Sequence, residues 1–395
     1  MPLGIYISVP FCRTKCSYCN FASDVFSRAV FERYVDRICA DTENAPQVAT
    51  QMGGQMQREV DSIYLGGGTP TVLESGQLER IFAAVRSQFD VSPKAEVTVE
   101  CAPGTLTPAL LEGLLRCGVN RVSLGVQSFV DQEAAAVGRL HKRTTVLADV
   151  ARLRAAGLTN INIDLIAGLP HQTAASWEFS LAEIIATGTP HVSVYMLEVD
   201  EGSRLGREVL AGGTRYHTHF VPEEEAIAAF YVAACDRLQS AGIAQYEISN
   251  FARETFESRH NLKYWTRQPY FGFGVDAHSM LPSATSDGEA VRFAPADSLE
   301  KYMSGISFQH TAVSRQAALE ERFFLGLRLN RGINLRELSA KFGDEAIGNA
   351  RVVVGELVEE GLMEQNVDWI CLTPRGRLLS NEAFERFILP DVSII

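Results

Sequence analysis

Pro10-Phe11-Cys12-Arg13-Thr14-Lys15-Cys16-Ser17-Tyr18-Cys19-Asn20-Phe21 places three cysteines within eight positions near the amino terminus. Clustered thiols outside a secreted, disulfide-rich framework point to a soft metal centre. A closed zinc site needs a fourth ligand, and no histidine occurs before His141. Three cysteines on an iron–sulfur cluster instead leave one iron without a protein ligand. The preceding run, Leu3 to Val9, is apolar and β-branched and is expected as a buried strand ending at Pro10. The cysteine loop then hangs from the carboxyl end of that strand.

The remaining composition is that of a globular protein. The chain has 395 residues, 46% hydrophobic and 21% charged, enough for two or three domains. No run approaches the roughly 18 apolar residues of a membrane span, and the first residues lack a basic-then-apolar signal, so a cytoplasmic location is expected. Cys39, Cys101, Cys117, Cys235 and Cys371 are scattered and read as structural thiols. A net charge of -12 argues against nucleic acid as a partner.

Further strands are expected at Asp61–Leu65, Glu96–Glu100, Arg121–Val126, Asn160–Ile166 and His191–Leu197. Helical patterns lie between them: Ser27 to about Ala40 with Ser27 as N-cap, Ser75–Phe89, Pro108–Cys117 and Val146–Ala156. Residues 41–58 read as a loop or frayed helix end. Six strands alternating with helices imply a parallel sheet whose ligand sits at the carboxyl ends. Those ends carry Gly66-Gly67-Gly68-Thr69-Pro70-Thr71, Glu100, Gln127 and Asp164. Glycines allow close backbone approach to a ligand. A carboxylate closing an apolar strand is costly to bury without a partner.

CxxxCxxC after an amino-terminal hydrophobic stretch resembles the radical S-adenosylmethionine (SAM) superfamily. That likeness implies a [4Fe-4S] cluster on Cys12, Cys16 and Cys19, with the fourth iron chelated by SAM. The ordered set of residues 66–71, Val126-Gln127-Ser128-Phe129, Gly138-Arg139-Leu140-His141 and Asn162 to Pro170 is similar to the oxygen-independent coproporphyrinogen III oxidase-like branch. By this resemblance, SAM contacts fall on Tyr6, Tyr18, Gly67, Gly68, Thr69, Glu100, Gln127, Arg139 and Asp164. Packing is the competing role for Tyr6 and Tyr18.

Residues 202–221 read as irregular, with His217 and His219 as exposed loop residues. A helix from Glu223 to about Ala241 follows Pro222. Arg259-His260-Asn261-Leu262-Lys263-Tyr264-Trp265 carries HNxxYW, which resembles the HemW-type heme chaperones. On a helix His260 and Tyr264 share one face. Imidazole and phenolate are heme-iron ligand types, and Trp265 offers a flat apolar partner. Without the likeness His260 reads as a core histidine; with it, His260, Tyr264 and Trp265 become expected heme contacts. Asp276 stands where this family usually has glycine, and aspartate tolerates left-handed backbone.

The expected fold is α/β: a partial (β/α)6 radical SAM barrel at 1–200, a barrel extension with HNxxYW at 201–313, and a winged-helix-like domain at 314–395. That last segment holds 10 Lys/Arg against 13 Asp/Glu, which favours an interaction module over DNA binding. Two functions compete: a heme chaperone delivering heme to acceptor proteins, and the oxidase. Phe21 stands where the oxidase is expected to carry a fourth cysteine, the cysteines begin early, and HNxxYW is present; all three favour the chaperone. A membrane-bound acceptor and a homodimer are compatible with the resemblance.

Overall fold

The computed structural model describes residues 1–285, 288–305 and 308–388; residues 389–395 of the expected C-terminal domain lie outside these. Six parallel strands stand side by side in chain order: β1 (Leu3–Val9), β2 (Glu59–Gly67), β3 (Asp90–Cys101), β4 (Arg121–Gln127), β5 (Ile161–Ala167) and β6 (His191–Met196). Helices Ala29–Glu43, Ser75–Gln88, Pro108–Arg116, Arg143–Ala155 and Ala174–Thr187 lie between them.

The strands obey a period of two. Ile5, Ile7, Ile63, Leu65, Val97, Val99, Val122, Leu124, Ile163, Leu165, Val192 and Val194 join the main core with Phe31, Leu78, Phe82, Leu153 and Leu181 of the helices. The alternate positions carry Tyr6, Ser62, Tyr64, Thr98, Glu100, Ser123, Asn162, Asp164, His191 and Ser193, so the other face of the sheet is polar. Parallel register aligns these groups in rows. Glu100 pairs with Ser123, Ser123 with Asn162, and Asn162 with His191. Asn162 Nδ2 donates to Ser123 Oγ at 2.7 Å and to Ser193 Oγ at 3.1 Å, and His191 Nδ1 lies 2.7 Å from Asn162 Oδ1. A buried polar lining survives because it is hydrogen-bonded throughout this row.

The sheet grows at both edges. A hairpin of β7 (Ala244–Glu247) and β8 (Asn250–Ala252) pairs antiparallel with β6. On the other side β9 (Tyr270–Phe273) pairs parallel with β1, followed by antiparallel β10 (Ser279–Pro282), β11 (Ala290–Ala294) and β12 (Gln309–Val313). The strand order is linear, with β12 and β7 at its ends, so the barrel is partial.

Three expectations change. Ser27 is not the N-cap; Arg28 holds that position and makes no side-chain cap bond. Residues 41–58 are not a loop throughout, because the first helix runs to Glu43 and a second spans Ala45–Gln51, with Pro46 in its first turn and Ala45, Val48 and Ala49 buried. Within 202–221 a helix Arg204–Leu210 precedes a 3-10 segment, Arg215–Phe220. His217 and His219 are exposed there. Asp276 takes φ +54°, the left-handed backbone its position required.

Residues beyond β12 form the three expected helices, Arg315–Gly326, Leu335–Phe342 and Gly348–Glu359, with a three-stranded antiparallel sheet of Ile333–Asn334, Trp369–Leu372 and Met363–Asn366, and two short helices not expected from the sequence, Pro374–Leu378 and Ser380–Glu385. This winged-helix-like domain has its own core around Phe323, Leu338, Phe342, Leu357 and Ile370, which reaches Tyr270 and Met280 of the large sheet. Glu321 joins it to the sheet, pairing with Arg267 Nε at 2.5 Å and Arg292 Nε at 3.1 Å. Burial raises Glu321, but hydrogen bonds from Arg292 and Arg267 outweigh it and hold it below the usual carboxylate range.

Candidate functional site

The cysteine loop leaves β1 at Pro10 over Phe11, which is fully buried and stacked on Phe31 at 4.0 Å. Three neighbours pin it. Cys12 N–H donates to Asp24 O at 3.0 Å, and Ser17 N–H to Val137 O at 3.1 Å, while Ser17 O accepts from Leu205 N–H at 2.8 Å. The glycine turn after β2 closes the third side, with Gly68 N–H to Val9 O at 2.9 Å and Thr69 N–H to Phe11 O at 2.8 Å. A Cβ at Gly68 would stand 2.7 Å from Val9 O and 2.8 Å from Phe11 O, so only glycine fits this approach.

All three cysteines are free thiols; Cys16 is buried, and Cys12 and Cys19 are half-buried. Thr69 Oγ1 donates to Cys12 Sγ at 3.8 Å, and Cys19 Sγ lies 3.9 Å from Ser23 Oγ. Burial pushes the Cys12 thiol up; hydrogen bonds from Thr69 and Ser23 oppose this, and the neighbouring Cys19 and Cys16 add to it. Mutual repulsion of this kind is relieved by a bound cation centre. Among the described residues no three His, Cys, Asp or Glu side chains converge on a single metal ion. Three thiols on one loop are the donor type that holds an iron–sulfur cluster, and this donor set fits one. Phe21 lies at the loop's far end, 66% exposed.

Beside this loop the carboxyl ends of the strands bring together the residues expected to touch SAM. Gly67 (φ +96°) passes close under Tyr6, whose hydroxyl would lie 3.3 Å from a Cβ there. Glu100 accepts from Tyr64 Oη at 2.8 Å. Burial lifts Glu100 to about 7; hydrogen bonds from Tyr64 and the Gly67 N–H oppose this, and Asp164 reinforces it. Asp164, also raised by burial, accepts from Asn162 Nδ2 at 2.7 Å and Ser123 Oγ at 3.2 Å. Gln127 takes φ +70° at a register shift between β4 and β5. Arg139 Nη2 donates to Gly125 O at 2.6 Å, and its buried Nε has no partner. Tyr18 is half-buried, packed against the small apolar cluster of Val137, Ile166, Leu169, Leu197 and Leu205. Two carboxylates held by neutral donors, an arginine with an unused N–H and a glycine turn suit a ligand carrying a sulfonium, an ammonium and a carboxylate.

HNxxYW forms the helix Arg259–Trp265, capped by Ser258 and by Glu96, which accepts from Arg259 and His260 N–H at 3.1 Å each. His260 is 1% exposed. Its Nδ1 lies 3.1 Å from Ser62 Oγ and its Nε2 2.9 Å from Tyr264 Oη, so both ring nitrogens are engaged. Burial, with Lys263 and Arg121, lowers it to about 3, and the ring is neutral. It stacks at 5.4 Å on Tyr64, whose hydroxyl donates to Glu100. Trp265 lies under the Arg328 guanidinium at 4.4 Å. The motif expected to meet heme thus stands, with His260 buried and Tyr264 and Trp265 half-buried, between the C-terminal domain and the Tyr64–Glu100 pair. Tyr64, Ser123, Asn162 and Ser193 were not singled out from sequence; their signal was the polar alternation within β2, β4, β5 and β6.

The radical SAM superfamily profile matches residues 6–184, and the HemN C-terminal domain profile matches residues 313–379. The chain is 33% identical over 387 residues to the heme chaperone HemW of Bacillus subtilis, covering 97% of this chain and 98% of that protein. It is 30% identical over 396 residues to HemW of Escherichia coli, covering 98% of each. In fold it is similar to the coproporphyrinogen III oxidase HemN from Escherichia coli, a radical SAM enzyme. That match has a TM-score of 0.82 and 23% identity, over 98% of this chain and 90% of that one.

Proposed function

The chain belongs to the HemW family of radical SAM proteins, and on that premise we propose that it binds heme and delivers it to acceptor proteins. Full-length similarity to proteins named heme chaperones supports this most directly. Cys12, Cys16 and Cys19 hold a [4Fe-4S] cluster in this proposal. When bound, the cluster supplies an open iron for the amino and carboxylate groups of SAM. Around it, Glu100 and Asp164 face the cationic part of SAM, Arg139 Nε its carboxylate, and Gly67, Gly68 and Thr69 keep the cleft narrow. Tyr6, Tyr18 and Gln127 wall it.

In this proposal the acceptors include membrane-bound heme proteins, met in transient contact; among the described residues no helix is long and apolar enough to cross a membrane. Free cysteines throughout suit a cytoplasmic, reducing setting. A homodimer belongs to the same proposal and is read by light scattering. The deciding experiment has two arms under anaerobic conditions with the cluster reconstituted. Heme is titrated and the Soret band followed, with transfer to an apo-acceptor; in parallel the protein meets coproporphyrinogen III, SAM and a reductant. Heme binding and transfer without protoporphyrinogen IX is the expected result. Formation of protoporphyrinogen IX would replace the chaperone by the oxidase.

A further inference from the structure

Two segments meet at the rim of the partial barrel through residues in costly backbone conformations. His171 follows the turn after β5 and holds φ +70°, and in the facing 3-10 segment Tyr216 and His217 hold +57° and +61°. Three non-glycine residues in left-handed backbone persist only where their surroundings over-determine them. Here His171 N–H donates to Phe220 O at 2.8 Å. The His171 ring stacks on Phe220 with centroids 4.1 Å apart and 29° between planes. His171 Nε2 lies 3.2 Å from His217 Nδ1. Tyr216 and Val221 of this segment pack against the small apolar cluster that holds Leu169, Leu197 and Leu205, but Phe220 is 51% exposed and His217 is exposed, so core packing does not account for the contacts of His171 with Phe220 and His217.

Metal-ligating histidines characteristically donate their second ring N–H to a neighbour, which fixes tautomer and orientation. With His217 Nδ1–H donating to His171 Nε2, the lone pair of His217 is left on Nε2. We propose that His217 Nε2 is an axial ligand to heme iron, that His171 orients it, and that Phe220 packs against the porphyrin, with Arg215 on the same turn available to a propionate. This rests on the heme-binding reading above and deepens it by naming the site. His260 offers no comparable atom, since both its nitrogens are hydrogen-bonded within the fold. A ligand at the surface also serves delivery, because an acceptor must reach the iron before the first bond is given up.

The test is heme titration of the full-length, cluster-reconstituted protein, with Soret absorbance and low-temperature EPR as readouts. H217A is expected to lose the imidazole-ligated signature and most of the affinity. H171A should weaken heme on the order of tenfold and alter the EPR signal, and H171Q, which keeps an acceptor, should recover it. F220A should weaken binding while leaving the ligand signature. The cluster absorbance of each variant reports folding. If wild type binds no heme, the chaperone reading itself fails. If wild type binds heme and H217A binds it with unchanged affinity and spectrum, this site is overturned and that reading stands.

Discussion

The imidazole of His260 spans from Ser62 on β2, 3.1 Å from Nδ1, to the hydroxyl of Tyr264, 2.9 Å from Nε2. It therefore ties the helix that meets the C-terminal domain to the strand that ends in the glycine turn. Removing the ring strands two hydroxyls in a buried setting. H260A is expected to cost about 3 kcal/mol and Y264F about 1 kcal/mol, read from denaturation midpoints. The heme Soret band of Y264F should match wild type; a lost band would make Tyr264 a heme contact.

Glu100 sets a pH dependence. Its folded pKa, raised to about 7 by burial, exceeds its unfolded value, so the folded state binds the extra proton between about 4.5 and 7. Its contribution to stability is complete below about 4.5 and is lost as pH rises through 7. E100Q should thus be more stable than wild type above pH 7 and converge with it in acid. A cationic ligand favours the carboxylate, so SAM affinity should strengthen from pH 6 to 8 in wild type and stay flat in E100Q. Calorimetry in two buffers of different ionisation enthalpy reads the released proton.

Gly68 and Gly76 make a matched pair. At Gly68 a methyl group meets two backbone carbonyls within 2.8 Å, whereas at Gly76 nothing lies within 4 Å. G68A should destabilise by about 2 kcal/mol and lower cluster occupancy. G76A, early in the helix Ser75–Gln88, should be neutral or stabilise by up to about 0.5 kcal/mol. Iron and sulfide analysis after anaerobic reconstitution separates the two.

Substituting Cys12, Cys16 or Cys19 by alanine should abolish the brown absorbance after reconstitution, whereas C39A and C371A should keep it. Retention of full iron content in C16A would remove the cluster assignment.

Glu321 is pinned between Arg267, whose side chain is 4% exposed, and Arg292. E321A leaves a buried guanidinium without its carboxylate and should cost about 3 kcal/mol. Faster proteolytic cutting between the sheet and the C-terminal domain would report the loosened joint, and unchanged cutting would show that apolar packing alone holds it.

Sequence by itself determined the cysteine trio, the parallel strand–helix alternation, the glycine turn and the first three helices of the C-terminal domain. Each is a local signal: thiol spacing, a period of two or of 3.6, or a residue type that only one backbone region tolerates. Asp276 was legible for the same reason, since left-handed backbone is a property of one position. Tertiary structure alone decided the hydrogen-bond partners of the His171–His217 pair and the tie from His260 to Ser62. One imidazole is held by Tyr264 on its own helix and by Ser62, 198 positions away on β2; the other two, 46 positions apart, meet at an exposed rim. Whether a histidine keeps a lone pair for a ligand depends on which hydrogen-bond partners the fold carries to it. Tyr264 was legible as an i,i+4 neighbour of His260, but the distant partners come from strand register and helix docking, which no local pattern encodes.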